Sequence, residues 1–202
     1  QLSATVTAFA GYPAIMWARS ALALAGVLLI VLLVSSRVLH RHHLAESSGI
    51  IFGDAGVMTT RAFGTCPSSV MTPLLWNAEA EVANRICCHN RHWAEYAGYW
   101  ETRTFPQWLP AGHQMTVYDA VTGMPLFVVP RGRSWASFLA ESRTHGWPSF
   151  RDAEVVWRNV RVLADGETVS VNGTHLGHNL PDSMGNRYCI NVVCIAGTAS
   201  SA

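Results

Sequence analysis

Residues 20–36 run for seventeen positions without a charge between Arg19 and Arg37, and no other feature limits the folding options of this chain as much. As an α-helix the run would cover roughly 26 Å, close to the ~30 Å hydrocarbon core of a bilayer once Trp17 and the flanking arginines are counted. It also exceeds the apolar core of a cleaved signal, about 7–15 residues. The sequence therefore predicts one N-terminal transmembrane helix, residues 14–38 with its flanks, after a tail over 1–13. The lipid bilayer is the partner expected for residues 20–36. Arg37 and Arg41 follow the run and Arg19 precedes it. The positive-inside bias places the C-terminal bulk on a cytosol, stroma or matrix side, with the thylakoid or mitochondrial inner membrane as the expected location. His40, His42 and His43 join those arginines as a polar collar at the interface. The chain opens on Gln1 and not Met, which fits an upstream segment having been removed.

Charged residues make up 13% of the chain, about half the usual share, and the apolar run explains part of the deficit. A net charge of +1 supplies no broad positive footprint, so nucleic acid is not an expected partner. Residues 39–75 are rich in Gly, Ser and Thr without a sustained period and read as a connecting segment. Residues 76–112 read as a helix and entry segment, with a short amphipathic helix over 76–96. From residue 113 the pattern becomes β-branched and partly alternating, in runs over 115–121, 125–129, 154–163, 167–172 and 187–196 separated by turn signals. A small antiparallel β domain over 113–198 follows, with a helical insert near 134–142 and a tail over 199–202.

Five cysteines, Cys66, Cys87, Cys88, Cys189 and Cys194, form no CxxC pair. An odd count with this spacing indicates neither a disulfide framework nor a four-cysteine zinc site. Cys189 has His175 and His178 less than fifteen residues upstream, and a thiol acts as a nucleophile when a His or Arg favours its thiolate. On one continuous strand, Cys194 would lie on the opposite face from Cys189 and about 16–17 Å away.

The ordered strings Thr122-Gly-Met-Pro-Leu-Phe127, Gly146-Trp-Pro-Ser-Phe150, His175-Leu-Gly-His178 and Arg187-Tyr-Cys-Ile-Asn191 closely resemble the methionine-R-sulfoxide reductase (MsrB) family. The resemblance covers roughly residues 86–197, and Glu95-Tyr-Ala-Gly-Tyr-Trp100 is similar to a degraded early motif of that family. It implies a mainly β fold with small helices, a β-tent of two antiparallel sheets, here preceded by the transmembrane helix. By the same resemblance Cys189 is the nucleophile that attacks the sulfoxide sulfur of oxidised methionine, leaving a sulfenic acid. His175 and His178 bind and protonate the sulfoxide oxygen, Asp182 and Asn191 orient this set, and Trp147 packs against the substrate methyl. Arg187 either favours the thiolate or is a solvated strand end.

Departures from the family pattern also carry expectations. The positions matching its zinc-binding CxxC pairs read Asp119-Ala-Val-Thr122 and Val169-Ser-Val-Asn172, so no metal or other cofactor is expected. His145 stands where a resolving thiol is common, and Leu180 where the family has an aromatic. Cys87 and Cys88 are then either possible resolving thiols or buried packing residues, and an external thioredoxin-like reductant would otherwise regenerate Cys189. Two readings follow. One is a membrane-anchored peptide-methionine (R)-S-oxide reductase acting on oxidised methionine in proteins. The other is an accessory single-span subunit of a large organellar membrane complex, photosynthetic or respiratory, that reuses such a domain.

Overall fold

The structure, a computed structural model, describes residues 49–200. Its strands are short and all pair antiparallel. β1 (Met115–Tyr118) and β2 (Pro125–Val129) form a two-stranded sheet. β3 (Ser149–Phe150), β4 (Val160–Val162), β5 (Glu167–Ser170), β6 (His175–Asn179) and β7 (Tyr188–Ile190) form a second sheet in the order β3-β7-β6-β5-β4. The described residues are therefore mainly β, with two antiparallel sheets and few helices.

The hairpin β1–β2 turns at Asp119, whose carboxylate accepts the Val121 N–H at 2.8 Å while its own N–H donates to the Met124 carbonyl. This is how an aspartate nucleates a turn from its side chain. The helix predicted near 134–142 spans Trp135–His145 and is α2 of the described residues. Ser134 caps it by accepting the Ser137 N–H, and Gly146 ends it at φ +87°, a conformation that favours glycine. Its inner face carries Trp135, Phe138 and Leu139 into the core. Phe138 lies 5.3 Å from Phe150 of β3, and Phe150 stacks at 4.2 Å on Phe127 of β2. These rings join the helix to both sheets through one apolar cluster.

The helix expected over 76–96 is much shorter. α1 (Ala80–Ala83) passes directly into a π-helical turn, Asn84–His89, which buries Ile86, Cys87 and Cys88. Both vicinal cysteines are disulfide-bonded, Cys88 to Cys66 and Cys87 to Cys194. This corrects the reading of the cysteines as having no disulfide framework and of Cys87 and Cys88 as resolving thiols. Four of the five sulfurs are already paired, at 0–2% exposure. The expected strand through 187–196 is corrected too: β7 ends at Ile190 and Val192–Ile195 winds as a 3-10 turn. Cys194 therefore meets the π-helical turn instead of continuing the strand.

Residues 49–75, expected as a connector, pack onto the domain. Gly53 N–H donates to the Val162 carbonyl, Val162 N–H donates to the Ile51 carbonyl, and Cys66 and Val70 are buried in the core. The expectation of a fold with a transmembrane helix is corrected as well. Among the described residues no helix is long and apolar enough to cross a membrane, and α2, at about 1.5 Å per residue, is roughly half the length a bilayer requires. The run over 20–36 and the cluster at 37–43 lie outside the described residues.

The Cys87–Cys194 link closes a loop across 107 positions, and cross-linking a loop of that length disfavours the unfolded chain by about 3–5 kcal/mol. The paired variant Cys87→Ala/Cys194→Ala is expected to lose stability in that range, read from urea unfolding without reductant. Wild-type stability in the variant would refute the link.

Candidate active site

β6 and β7 place the reactive side chains by register. His178 lies directly opposite Cys189, and Gly177 opposite Ile190. Histidines three apart on a regular strand would point to opposite faces. Here the β5–β6 ladder slips: Val169 pairs with His175 and Thr168 with Gly177, so Leu176 has no partner. This bulge rephases the strand, and His175 and His178 line one cleft with ring centroids 5.6 Å apart. Gly177 is required between them, because a Cβ there would stand 2.0 Å from the Cys189 carbonyl oxygen.

Cys189 is half-buried and is the one free cysteine among the described residues. The Arg187 guanidinium donates to its Sγ at 2.5 Å and to Asp182 Oδ2 at 3.2 Å. Arg187 is buried and is held between the sulfur and the Asp182 carboxylate, so it is not a solvated strand end. Asp182 in turn accepts both Arg151 terminal nitrogens, at 3.0 and 2.8 Å. These hydrogen bonds from Arg151 hold its carboxyl at about 2, well below the usual range. Asp182 thus serves the cysteine through Arg187 and makes no hydrogen bond to either histidine. Arg151 also pairs with Glu141, which pairs with Arg133, which pairs with the fully buried Glu154. Glu141, His145 and Asp182 have metal-ligand spacing, but the Arg151 guanidinium already spans the two carboxylates.

His175 is 1% exposed and its Nδ1 is 2.7 Å from Glu167 Oε1. With Nδ1 donating to the carboxylate, Nε2 is the nitrogen left to meet a ligand. Glu167 also pairs with Arg91. Burial pushes the Glu167 carboxyl up, but its bonds to His175 and Arg91 outweigh this and hold it below the usual range. His178 is pushed down by burial and by His175, so it stays neutral near pH 7.

The remaining wall comes from two segments. Trp147 follows the Gly146 cap and donates its indole N–H to the Glu95 carbonyl at 3.1 Å. Asn191 is 2% exposed, donates to the Leu176 carbonyl and accepts the Glu95 N–H, at 3.1 and 3.0 Å. The cleft has a volume of about 440 Å³, and Trp93 and Leu180, at 54% and 47% exposure, stand at its rim. Behind the cleft the fully buried Asp119 accepts the Thr174 hydroxyl with its carboxylate.

The structure therefore gathers Cys189, His175, His178, Trp147, Arg187 and Asn191 at one cleft, with Asp182 behind it. Cys87 and Cys88 are elsewhere, in their disulfides. Sequence reasoning missed Arg91, Glu95, Arg151 and Glu167. For Glu167 a signal existed, since a lone acid opens the otherwise uncharged strand run 167–172. Comparison with protein-family models, with curated proteins and with solved structures finds no match to this chain.

Glu95, 4% exposed, has its carboxyl pushed up from 4.5 to about 7 by burial, against the pull of two backbone N–H donors. Between these values the folded state holds a proton that the unfolded chain has lost. The contribution of Glu95 is therefore full below pH 4.5 and lost as pH rises to 7, a change of about 3 kcal/mol. Glu95→Gln cannot ionise, so wild type is expected to lose that amount relative to the variant between pH 4.5 and 8, measured by urea unfolding at each pH. Parallel curves would refute the shift.

Proposed function

We propose that this domain is a peptide-methionine (R)-S-oxide reductase with Cys189 as its nucleophile. The observation that carries this reading is the register that sets Cys189 opposite His178, with Arg187 on the sulfur and a Glu167-held His175 in the same cleft. The motif resemblance supplies the substrate class and the epimer.

The Cys189 thiolate attacks the sulfoxide sulfur as a proton reaches the sulfoxide oxygen from the histidine side. The sulfur–sulfur bond of that adduct and the sulfur–oxygen bond of the substrate both break as the oxygen moves to Sγ, so methionine leaves as the thioether and Cys189 becomes a sulfenic acid. His175 suits the proton-handling role because Glu167 fixes its ring, and His178, neutral near pH 7, can accept or share a hydrogen bond. Trp147 supplies a flat apolar wall for the methyl group. Two thiol groups of a thioredoxin-like dithiol then return Cys189 to the thiol, become a disulfide and release water. No second cysteine of this chain enters that step, because the other four are paired and buried. Such buried disulfides favour an oxidising compartment over the cytosolic-type side expected from arginine counts near residues 19–41.

The decisive measurement is turnover of a methionine-(R)-sulfoxide peptide with dithiothreitol as reductant. Wild type is expected to reduce the R epimer and leave the S epimer. Cys189→Ser is expected to lose at least about 1,000-fold, and Glu167→Gln about 10–100-fold in kcat. A folded wild type without turnover, or full activity in Cys189→Ser, would overturn the proposal.

A further inference from the structure

Glu95 has no step in the sulfoxide chemistry, yet it makes four hydrogen bonds across the site. Its N–H donates to Asn191 Oδ1 at 3.0 Å, and its carbonyl accepts the Trp147 indole N–H at 3.1 Å. Its carboxylate accepts the Val192 N–H on Oε2 at 3.0 Å and the Val193 N–H on Oε1 at 2.6 Å. These two amides open the 3-10 turn Val192–Ile195 and have no partner inside that turn. The turn follows Asn191, two residues beyond Cys189. One residue therefore ties the Trp147 wall to the chain that carries the nucleophile.

Only an acceptor with two oxygens satisfies both amides. A carboxamide would accept one N–H and turn its own NH₂ against the other, and an apolar side chain would leave two buried donors unpaired. Burial of an acid at this place is disfavoured in itself, so packing alone does not explain the residue. We propose that Glu95 is a positioning residue which sets the width of the cleft between Trp147 and the facing Cys189–His178 pair. This rests on the reductase reading for its kinetic consequence, but not for its geometry. The charged and titratable groups acting on the Glu95 carboxyl are Arg103 and the Tyr99 phenol. Trp147 lines the cleft together with His145, His178, Cys189 and Arg187.

The test follows the Val192 and Val193 amide protons and the Trp147 indole proton by NMR from pH 5 to 9. In wild type all three are expected to titrate with one common midpoint. In Glu95→Gln that common titration disappears. KM for a methionine-(R)-sulfoxide peptide is expected to rise about tenfold while kcat stays within about threefold, the pattern for lost uniform binding. Glu95→Asp, which keeps an ionisable carboxyl, is expected to restore a common titration at a different midpoint. A Trp147 indole that ignores the midpoint of the two amides would overturn the proposal, as would a folded Glu95→Gln with wild-type KM. Should Glu95→Gln not fold, the wild-type titration alone decides. A wild type without turnover would overturn the reductase reading, while the indole titration would still decide the positioning role.

Discussion

A Cβ at residue 177 would sit 2.0 Å from the Cys189 carbonyl oxygen, so β6 and β7 approach as they do only because residue 177 lacks one. That contact fixes their register, and the register brings His178 across from Cys189. The bulge at Leu176 then turns His175 to the same side. Glycine and bulge act together: the first permits close backbone packing, and the second lets two histidines three positions apart share a cleft. The other site groups, Arg187, Asn191 and Glu167, take their places relative to these two strands.

Charge is handled in the site by pairing. Removing a carboxylate or guanidinium from water is expensive, and attraction in a low-dielectric interior offsets it only when geometry and hydrogen bonds are complete. Glu167 has His175 and Arg91, while Asp182 has Arg187 and Arg151. Glu154 has Arg133 and two backbone donors. Replacing such pairs by apolar residues often leaves stability unchanged, so their presence fits a need for orientation. Each chain of pairs ends at a group the cleft uses, Cys189 in one case and His175 in another.

The site was more legible in the sequence than the frame around it. Cys189, the two histidines, Trp147 and Asn191 stand in short local strings, and the structure brings those strings to one cleft. The β runs at 115–121, 125–129 and 167–172 were also legible, because β-branched alternation is a local signal. The cysteine pairing was not. Its partners lie 22 and 107 positions apart, and no spacing rule reveals which buried thiols a tertiary fold brings together. The end of β7 was hidden for a different reason: residues 192–196 are apolar throughout, and such a run reads alike as the continuation of a strand or as the buried 3-10 turn at Val192–Ile195. Arg91, and the contacts of the Glu95 carboxylate within its motif, were not legible because their partners, Glu167, Val192 and Val193, are set by packing across more than seventy positions.

The cysteine sulfurs of the described residues fall into two populations by access alone. Cys66, Cys87, Cys88 and Cys194 are already oxidised and sealed at 0–2% exposure, whereas Cys189 opens to the cleft. Thiol–disulfide exchange needs a thiolate to reach a sulfur along the bond it breaks, so a thiol from solvent can approach Cys189 and is shielded from the four paired sulfurs. The domain can therefore keep two buried covalent ties while its remaining cysteine stays open to solvent chemistry. Selectivity between the two kinds of sulfur is written in burial and requires no difference in intrinsic reactivity.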